Sequence, residues 1–220
     1  MGMTRPFWKT AGYQFFKTSF WLIAKLCFCF RWKGREYLPR DTGALICANH
    51  QSYFDPVLVG ICFRQQINFV ARKTLFDVFL FGRLIRYLES IPIDRDGLGI
   101  SGIKETLRRL KRGEMVLIFP EGTRTLDGQV GPLKPGFCAL ARRGKVPILP
   151  VGVDGAYDAW PRSSRFPRLT KLRTCFGPLI TLEQIESMTD EQLMEEVHRR
   201  ILACHREARR FRGIAVPEGE

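Results

Sequence analysis

The sequence predicts an α/β domain, a mostly parallel central sheet flanked by helices, preceded by an N-terminal amphipathic segment of different character. Three observations carry this. Apolar runs of strand length alternate with helix-period segments from residue 32 onward. Several of those runs empty abruptly into polar turns containing Pro, Gly and charge. No internal repeat or low-complexity linker breaks the order. At 220 residues the chain suits one such domain with a sizeable core and appended helices.

Residues 1–31 read as a membrane-associated helical segment and 32–220 as the main domain. From Phe7 to Phe30 the run FWKTAGYQFFKTSFWLIAKLCFCF is dense in Phe and Trp but broken by Lys9, Lys17 and Lys25. A spanning helix needs about 20 mostly uncharged residues, and these lysines forbid that. Lysines eight apart fall within about 80° of one another on a helix, which describes a helix lying in the headgroup plane. A helix packed on its own domain stays open as the alternative. A secretory signal is disfavoured, because Lys25 sits in the apolar part and no small-residue cleavage site follows.

The main domain then reads in order. A short strand near Phe28–Lys33 leads to a buried strand at 44–48. Val57–Phe63 is helical, Ile67–Ala71 a strand, Phe76–Leu88 a helix and Ser90–Ile93 a short strand. Ile100, Ile103, Leu107 and Leu110 share one helix face opposite Lys104, Arg108, Arg109, Lys111 and Arg112, and Gly113 stops that helix. Met115–Phe119 is a buried strand, Lys134–Arg143 a helix ended by Gly144, and Val146–Val153 and Lys171–Phe176 are strands. Thr189 and Gln192 spell a capping box for a last amphipathic helix, 190–212.

Composition narrows the function. Hydrophobic residues at 45% and charged residues at 26% describe a folded globular chain. Thirty-five basic against 22 acidic side chains leave a net charge of +13, so the partners are polyanions: nucleic acid, an anionic membrane or phosphorylated small molecules. The 17 phenylalanines, many among the first thirty positions, favour the membrane. Seven cysteines without a CxxC pair or a Cys/His cluster argue against zinc and read as reduced, buried thiols in a cytoplasmic compartment.

The stretch Asn49-His50-Gln51-Ser52-Tyr53-Phe54-Asp55 leaves the 44–48 strand and enters a helix at Pro56. That places it at the C-terminal edge of a sheet, where open α/β folds carry their sites. Within a tight turn the Asp55 carboxylate can bend back to one imidazole nitrogen of His50 and leave the other free as a base. Asp55 also suits a helix N-cap before Pro56, and the two roles are compatible. The other histidines, His198 and His205, lie far along the chain in the basic C-terminal helix.

Three more strand ends carry polar groups. Phe119-Pro120-Glu121-Gly122-Thr123-Arg124 offers a guanidinium fork for phosphate, a glycine for close approach and a glutamate to hold the arginine or accept a hydroxyl. Alone it could be a bare turn. Ile91-Pro92-Ile93-Asp94-Arg95 and Ala71-Arg72-Lys73 add Arg95 and Lys73. In a parallel sheet all four ends meet on one rim. There is no GxSxG elbow, P-loop or GxGxxG fingerprint. Direct attack by a bound hydroxyl on an activated acyl group is then the economical chemistry.

NHQSYFD, IPIDR, FPEGTR and VPILPVGV, in that order, resemble the four motifs of the glycerolipid acyltransferase family across roughly residues 32–180, with Thr125 where a serine is common. The resemblance implies acyl transfer from acyl-CoA or acyl carrier protein to the sn-2 hydroxyl of 1-acylglycerol 3-phosphate (lysophosphatidic acid) at the cytoplasmic face of a phospholipid membrane, by a peripheral or monotopic protein. It implies His50 and Asp55 as the catalytic pair, and Lys73, Arg95, Glu121, Gly122, Thr123 and Arg124 as the substrate-binding set. No metal and no cofactor beyond the thioester co-substrate is expected. Glycerol 3-phosphate or another lysolipid as acceptor remains open. So does a non-catalytic basic protein binding membrane or nucleic acid, although no nucleic-acid motif is visible and none is expected as a partner.

Overall fold

The computed structural model describes residues 7–39, 42–93 and 99–216. The chain runs α1 (Phe7–Phe28), β1 (Arg31–Lys33), β2 (Leu45–Ala48), α2 (Asp55–Gly60), β3 (Asn68–Arg72), α3 (Phe79–Tyr87) and β4 (Ile91–Ile93). It continues through α4 (Gly99–Lys111), β5 (Val116–Ile118), α5 (Gly136–Gly144), β6 (Ile148–Asp154), α6 (Ala156–Ala159), β7 (Arg173–Phe176), α7 (Leu182–Ser187) and α8 (Asp190–Arg212). The strands form one sheet in the order β1-β7-β6-β2-β5-β3-β4. β6, β2, β5, β3 and β4 are mutually parallel, as the alternating pattern predicts. β7 runs antiparallel to β6, with β1 parallel to β7. Strand direction is a property of pairing, which a four-residue apolar run does not encode.

Central strands bury both faces because helices cover both sides. Along β2, Ile46 and Ala48 join the core that holds Phe63, Leu149 and Val151, while Leu45 and Cys47 face the opposite one with Leu110, Leu140 and Ile201. Alternation at period two sorts them. α8 presents Leu193, Val197, Ile201 and Ala208 to the sheet, all fully buried. Its N-terminus carries the expected capping box of Thr189 and Gln192, and Thr181 and Gln184 build a second one on α7. Gly152 lets α8 settle onto β6 backbone against backbone: a Cβ there would stand 2.2 Å from His205 N.

Two helix ends differ from expectation. The 76–88 helix is divided, a 3-10 turn over Lys73–Asp77 giving way to α3 after Val78. α5 ends not on a left-handed Gly144 but on Lys145, at φ 51°; Gly144 lies against Leu110 instead.

α1 packs on the domain through Tyr13, Ala24 and Phe28, and rings of Phe16 and Tyr87 meet edge-on at 5.9 Å. Lys25 is exposed, while Lys17 turns toward the domain. Its ammonium donates to the carbonyls of Phe63 and Arg64 after α2, and burial lowers its pKa. The face turned away from the protein is apolar: Phe15, Leu22, Ile23 and Leu26 are exposed. No helix among the described residues is long and apolar enough to cross a membrane.

All seven cysteines are free thiols, but Cys27 and Cys29 are exposed rather than buried, because α1 and the residue after it leave them outside the core.

Candidate active site

The turn after β2 is built around one carboxylate oxygen. Asp55 Oδ2 accepts the backbone N–H of Gln51 at 2.6 Å and of Ser52 at 2.7 Å, and stands 2.8 Å from His50 Nδ1. Asp55 therefore closes the turn that precedes its helix. It is not the N-cap of α2: that position is Phe54, and Asp55 is the first helical residue with Pro56 behind it. The carboxylate is wholly buried. With Nδ1 engaged, Nε2 is the nitrogen of His50 that can act as a base. The ring lies flat on Phe119, centroids 3.9 Å apart and planes 14° from parallel, so its tilt is set as well as its hydrogen bond.

Neighbouring strands pin this turn. Asn49 Nδ2 donates to Val153 O at 2.9 Å while Val153 N donates to Asn49 Oδ1 at 2.7 Å, tying the end of β2 to β6. Gln51 Nε2 donates to Gly128 O at 2.7 Å, and Gln51 Oε1 accepts from Tyr157 N at 3.2 Å. Thr125 N donates to His50 O at 2.8 Å. His205, distant in sequence, is not distant in space. It is buried with Nε2 3.3 Å from Gln51 Nε2 and 3.6 Å from Asp154 Oδ1, so α8 backs the turn after β2.

The turn after β5 faces the same rim. Glu121, expected beside the substrate or against Arg124, points inward: Oε1 accepts His50 N at 2.8 Å and Oε2 accepts Gly131 N at 3.2 Å. It braces the His50 backbone. Burial pushes its carboxyl up to about 7, against those two N–H bonds. Gly122 has φ +73°, which side-chain-bearing residues rarely adopt, and a Cβ there would meet the stem and ammonium of Lys134 at 3.0–3.1 Å. Lys134 is thus a cation of this turn that the motif reading does not name. Thr123 is exposed. The Arg124 guanidinium stacks 3.7 Å from the Tyr53 ring centre, and its buried Nη1 has no hydrogen-bond partner among the described residues. A guanidinium held in this way can donate to an anion.

Lys73 follows β3 on the same rim and is exposed. Arg95 lies outside the described residues, just beyond β4. Asn49, Gln51, Phe119, Thr125, Lys134 and His205 are the site residues that sequence reasoning missed. Lys134 alone carried a signal, as a cation directly before the Pro-Gly that opens α5.

A parallel-sheet edge that carries a carboxylate-oriented imidazole and a stacked guanidinium is the arrangement of a candidate acid–base site. The chain belongs to the Acyltransferase family, whose model matches residues 29–154. It is 37% identical over 123 residues to the 1-acyl-sn-glycerol-3-phosphate acyltransferase of Bacillus subtilis, covering 56% of this chain and 61% of that protein. With the protein of the same description from Streptococcus pneumoniae it shares 32% identity over 164 residues, 74% of this chain and 59% of the other. The matches thus span about three fifths of these relatives. The crystal structure of the 1-acyl-sn-glycerophosphate (LPA) acyltransferase PlsC from Thermotoga maritima superposes with a TM-score of 0.76, covering 98% of this chain and 86% of that one at 23% identity, which establishes the shared fold.

Proposed function

We propose that this chain transfers an acyl group from acyl-CoA or acyl carrier protein to the sn-2 hydroxyl of 1-acylglycerol 3-phosphate, giving phosphatidic acid. The observation that carries the reading is the pairing of His50, fixed through Nδ1 by Asp55, with Arg124, whose buried Nη1 awaits an acceptor. The names of the relatives agree with it.

In this scheme His50 Nε2 takes the hydroxyl proton as the oxygen attacks the thioester carbonyl. The tetrahedral intermediate collapses by breaking the carbon–sulfur bond, and the leaving thiolate recovers the proton from His50. Asp55 stabilises the transient imidazolium without becoming protonated itself. Arg124 and Lys134, with Lys73 and Arg95 from the adjoining strand ends, hold the acceptor's phosphate. Gly122 and Thr123 shape that pocket, while Glu121 acts through the His50 backbone. Holding both reactants in register accounts for a large share of the acceleration, roughly 7–11 kcal/mol in well-oriented systems.

The exposed stripe of Phe15, Leu22, Ile23 and Leu26 would enter the headgroup region of a phospholipid membrane, with Lys25 stacked over Trp21 at its border. Seven unpaired thiols suit the cytoplasmic face. The test is purified protein given lysophosphatidate and an acyl thioester, with released thiol followed. His50→Ala should abolish release in a folded protein; near-normal turnover by that variant sinks the reading.

A further inference from the structure

Two cavities lie around the loop that follows β6, beside the turn that carries His50. One, of about 540 Å³, lies beyond the C-terminal end of β6 and is walled by Tyr157, Asp158, Ser163, Ser164, Arg165 and Arg168. The second, of about 310 Å³, shares Tyr157, Pro161 and Ser163 with it and adds Arg162, Leu126 and Thr125. Thr125 is the residue whose N–H holds the His50 carbonyl. The pair of cavities therefore leads from the imidazole's own turn to an arginine-lined recess.

Charge in that recess is unbalanced. Asp158, the carboxylate among its walls, is ion-paired with Arg212. Arg162, Arg165 and Arg168 have no carboxylate partner among the described residues. Their loop is shaped in advance: Trp160 Nε1 donates to Ser164 O at 3.1 Å, Ser164 Oγ to Phe166 O at 2.8 Å, and Arg168 N to Ala159 O at 2.6 Å. Tyr157 OH donates to Leu126 O at 2.6 Å, fixing the wall between the cavities. Arg165 and Arg168 line the larger recess and Arg162 the smaller one beside it, so one ordered loop gathers three like charges that an anion would offset.

Position in the chain separates this cluster from the acceptor's. β2 lies between β6 and β5. Arg124 and Lys134 belong to the segment after β5 and the 157–168 loop follows β6, the two meeting where Trp160 stands 5.6 Å from the Tyr53 ring that carries the Arg124 guanidinium. A reaction joining two anionic substrates requires two anion positions.

We propose that the recess between Tyr157 and Arg168 binds the phosphorylated nucleotide end of the acyl-CoA donor, with Arg162, Arg165 and Arg168 as its phosphate partners. This rests on the acyl-transfer reading above. A concave recess within the usual size range of small-ligand sites, with a tyrosine ring and serine hydroxyls beside the arginines, suits a nucleotide better than the convex face of a carrier protein. The pantetheine arm then follows Leu126 and Tyr157 toward His50.

Three donors and two double variants test it. R165Q/R168Q should raise KM for acyl-CoA about tenfold or more and leave KM for the acceptor within about twofold. With S-acyl pantetheine, which has no phosphates, the variant and the parent should turn over alike. R165K/R168K, keeping the charge, should recover most of the loss. Adenosine 3′,5′-bisphosphate should bind the parent by calorimetry and lose that binding in R165Q/R168Q. Equal losses with acyl-CoA and acyl pantetheine would overturn the proposal, because the arginines would then merely shape the loop. A loss confined to acyl carrier protein would overturn it in favour of a docked protein. Should the parent bind the bisphosphate through these arginines yet fail to acylate lysophosphatidate, the recess stands and the assigned acceptor falls.

Discussion

His50 Nδ1 and Asp55 Oδ2 stand 2.8 Å apart, and the same oxygen gathers the N–H groups of Gln51 and Ser52. One carboxylate thus holds both the imidazole and the backbone that carries it. Asp55→Asn keeps the size but removes the charge that stabilises the imidazolium. We expect kcat to fall on the order of 10³-fold with KM changed only a few-fold. Steady-state kinetics on a variant with unchanged circular dichroism decides it; a loss in KM alone would assign Asp55 to binding.

Glu121 makes stability depend on pH. Its carboxyl is raised from 4.5 to about 7 by burial, so the folded chain holds that proton more tightly than the unfolded chain. The contribution is whole below pH 4.5 and is lost as pH climbs through about 7, amounting to at most about 3 kcal/mol. Urea midpoints measured from pH 4.5 to 7.5 should decline in the parent and flatten in Glu121→Gln. A matching decline in the variant would place the titrating group elsewhere.

The acceptor's phosphate should feel Arg124 and Lys134 together. Arg124→Ala and Lys134→Met are each expected to raise acceptor KM about tenfold while donor KM stays put. Tyr53→Leu, removing the ring under the guanidinium, should reproduce part of the Arg124 effect. Gly122→Ala adds a methyl where Lys134 lies and strains a left-handed residue by about 1–2 kcal/mol. Equal changes in both KM values would dismiss the phosphate role.

Membrane binding calls for point substitutions on α1. Removing residues 1–31 outright would also strip Ala24, Phe28 and Phe30 from the core. Leu22→Glu with Leu26→Glu changes only exposed positions, so the melting temperature should hold while affinity for anionic vesicles drops at least about tenfold. Sedimentation with vesicles reads it directly, and undiminished binding would move the docking surface off this helix.

Much of the sheet was legible because its central strands are buried on both faces and appear as continuous apolar runs, as at 44–48 and 115–119. The convergence of His50, Arg124 and Lys73 on one rim followed from parallel strands alone. What stayed hidden depends on contacts between distant segments. Nothing local to Asn49 announces its clamp on Val153, and nothing around His205 says that it meets Gln51 across 154 positions. Glu121 sits in a motif whose letters suit a ligand, yet its direction is settled by the N–H groups of His50 and Gly131. Lys17 reads as one of a stripe of three, and only the packing of α1 against the end of α2 turns it inward.

The bare α-carbon of Gly152 gives the far end of the chain a hold on the chemistry. Any side chain at that spot would lift the closing helix off its strand and carry His205 away from the amide that flanks the base. An alanine there, more than ten residues from every catalytic group in sequence and invisible to substrate, should slow the reaction from behind.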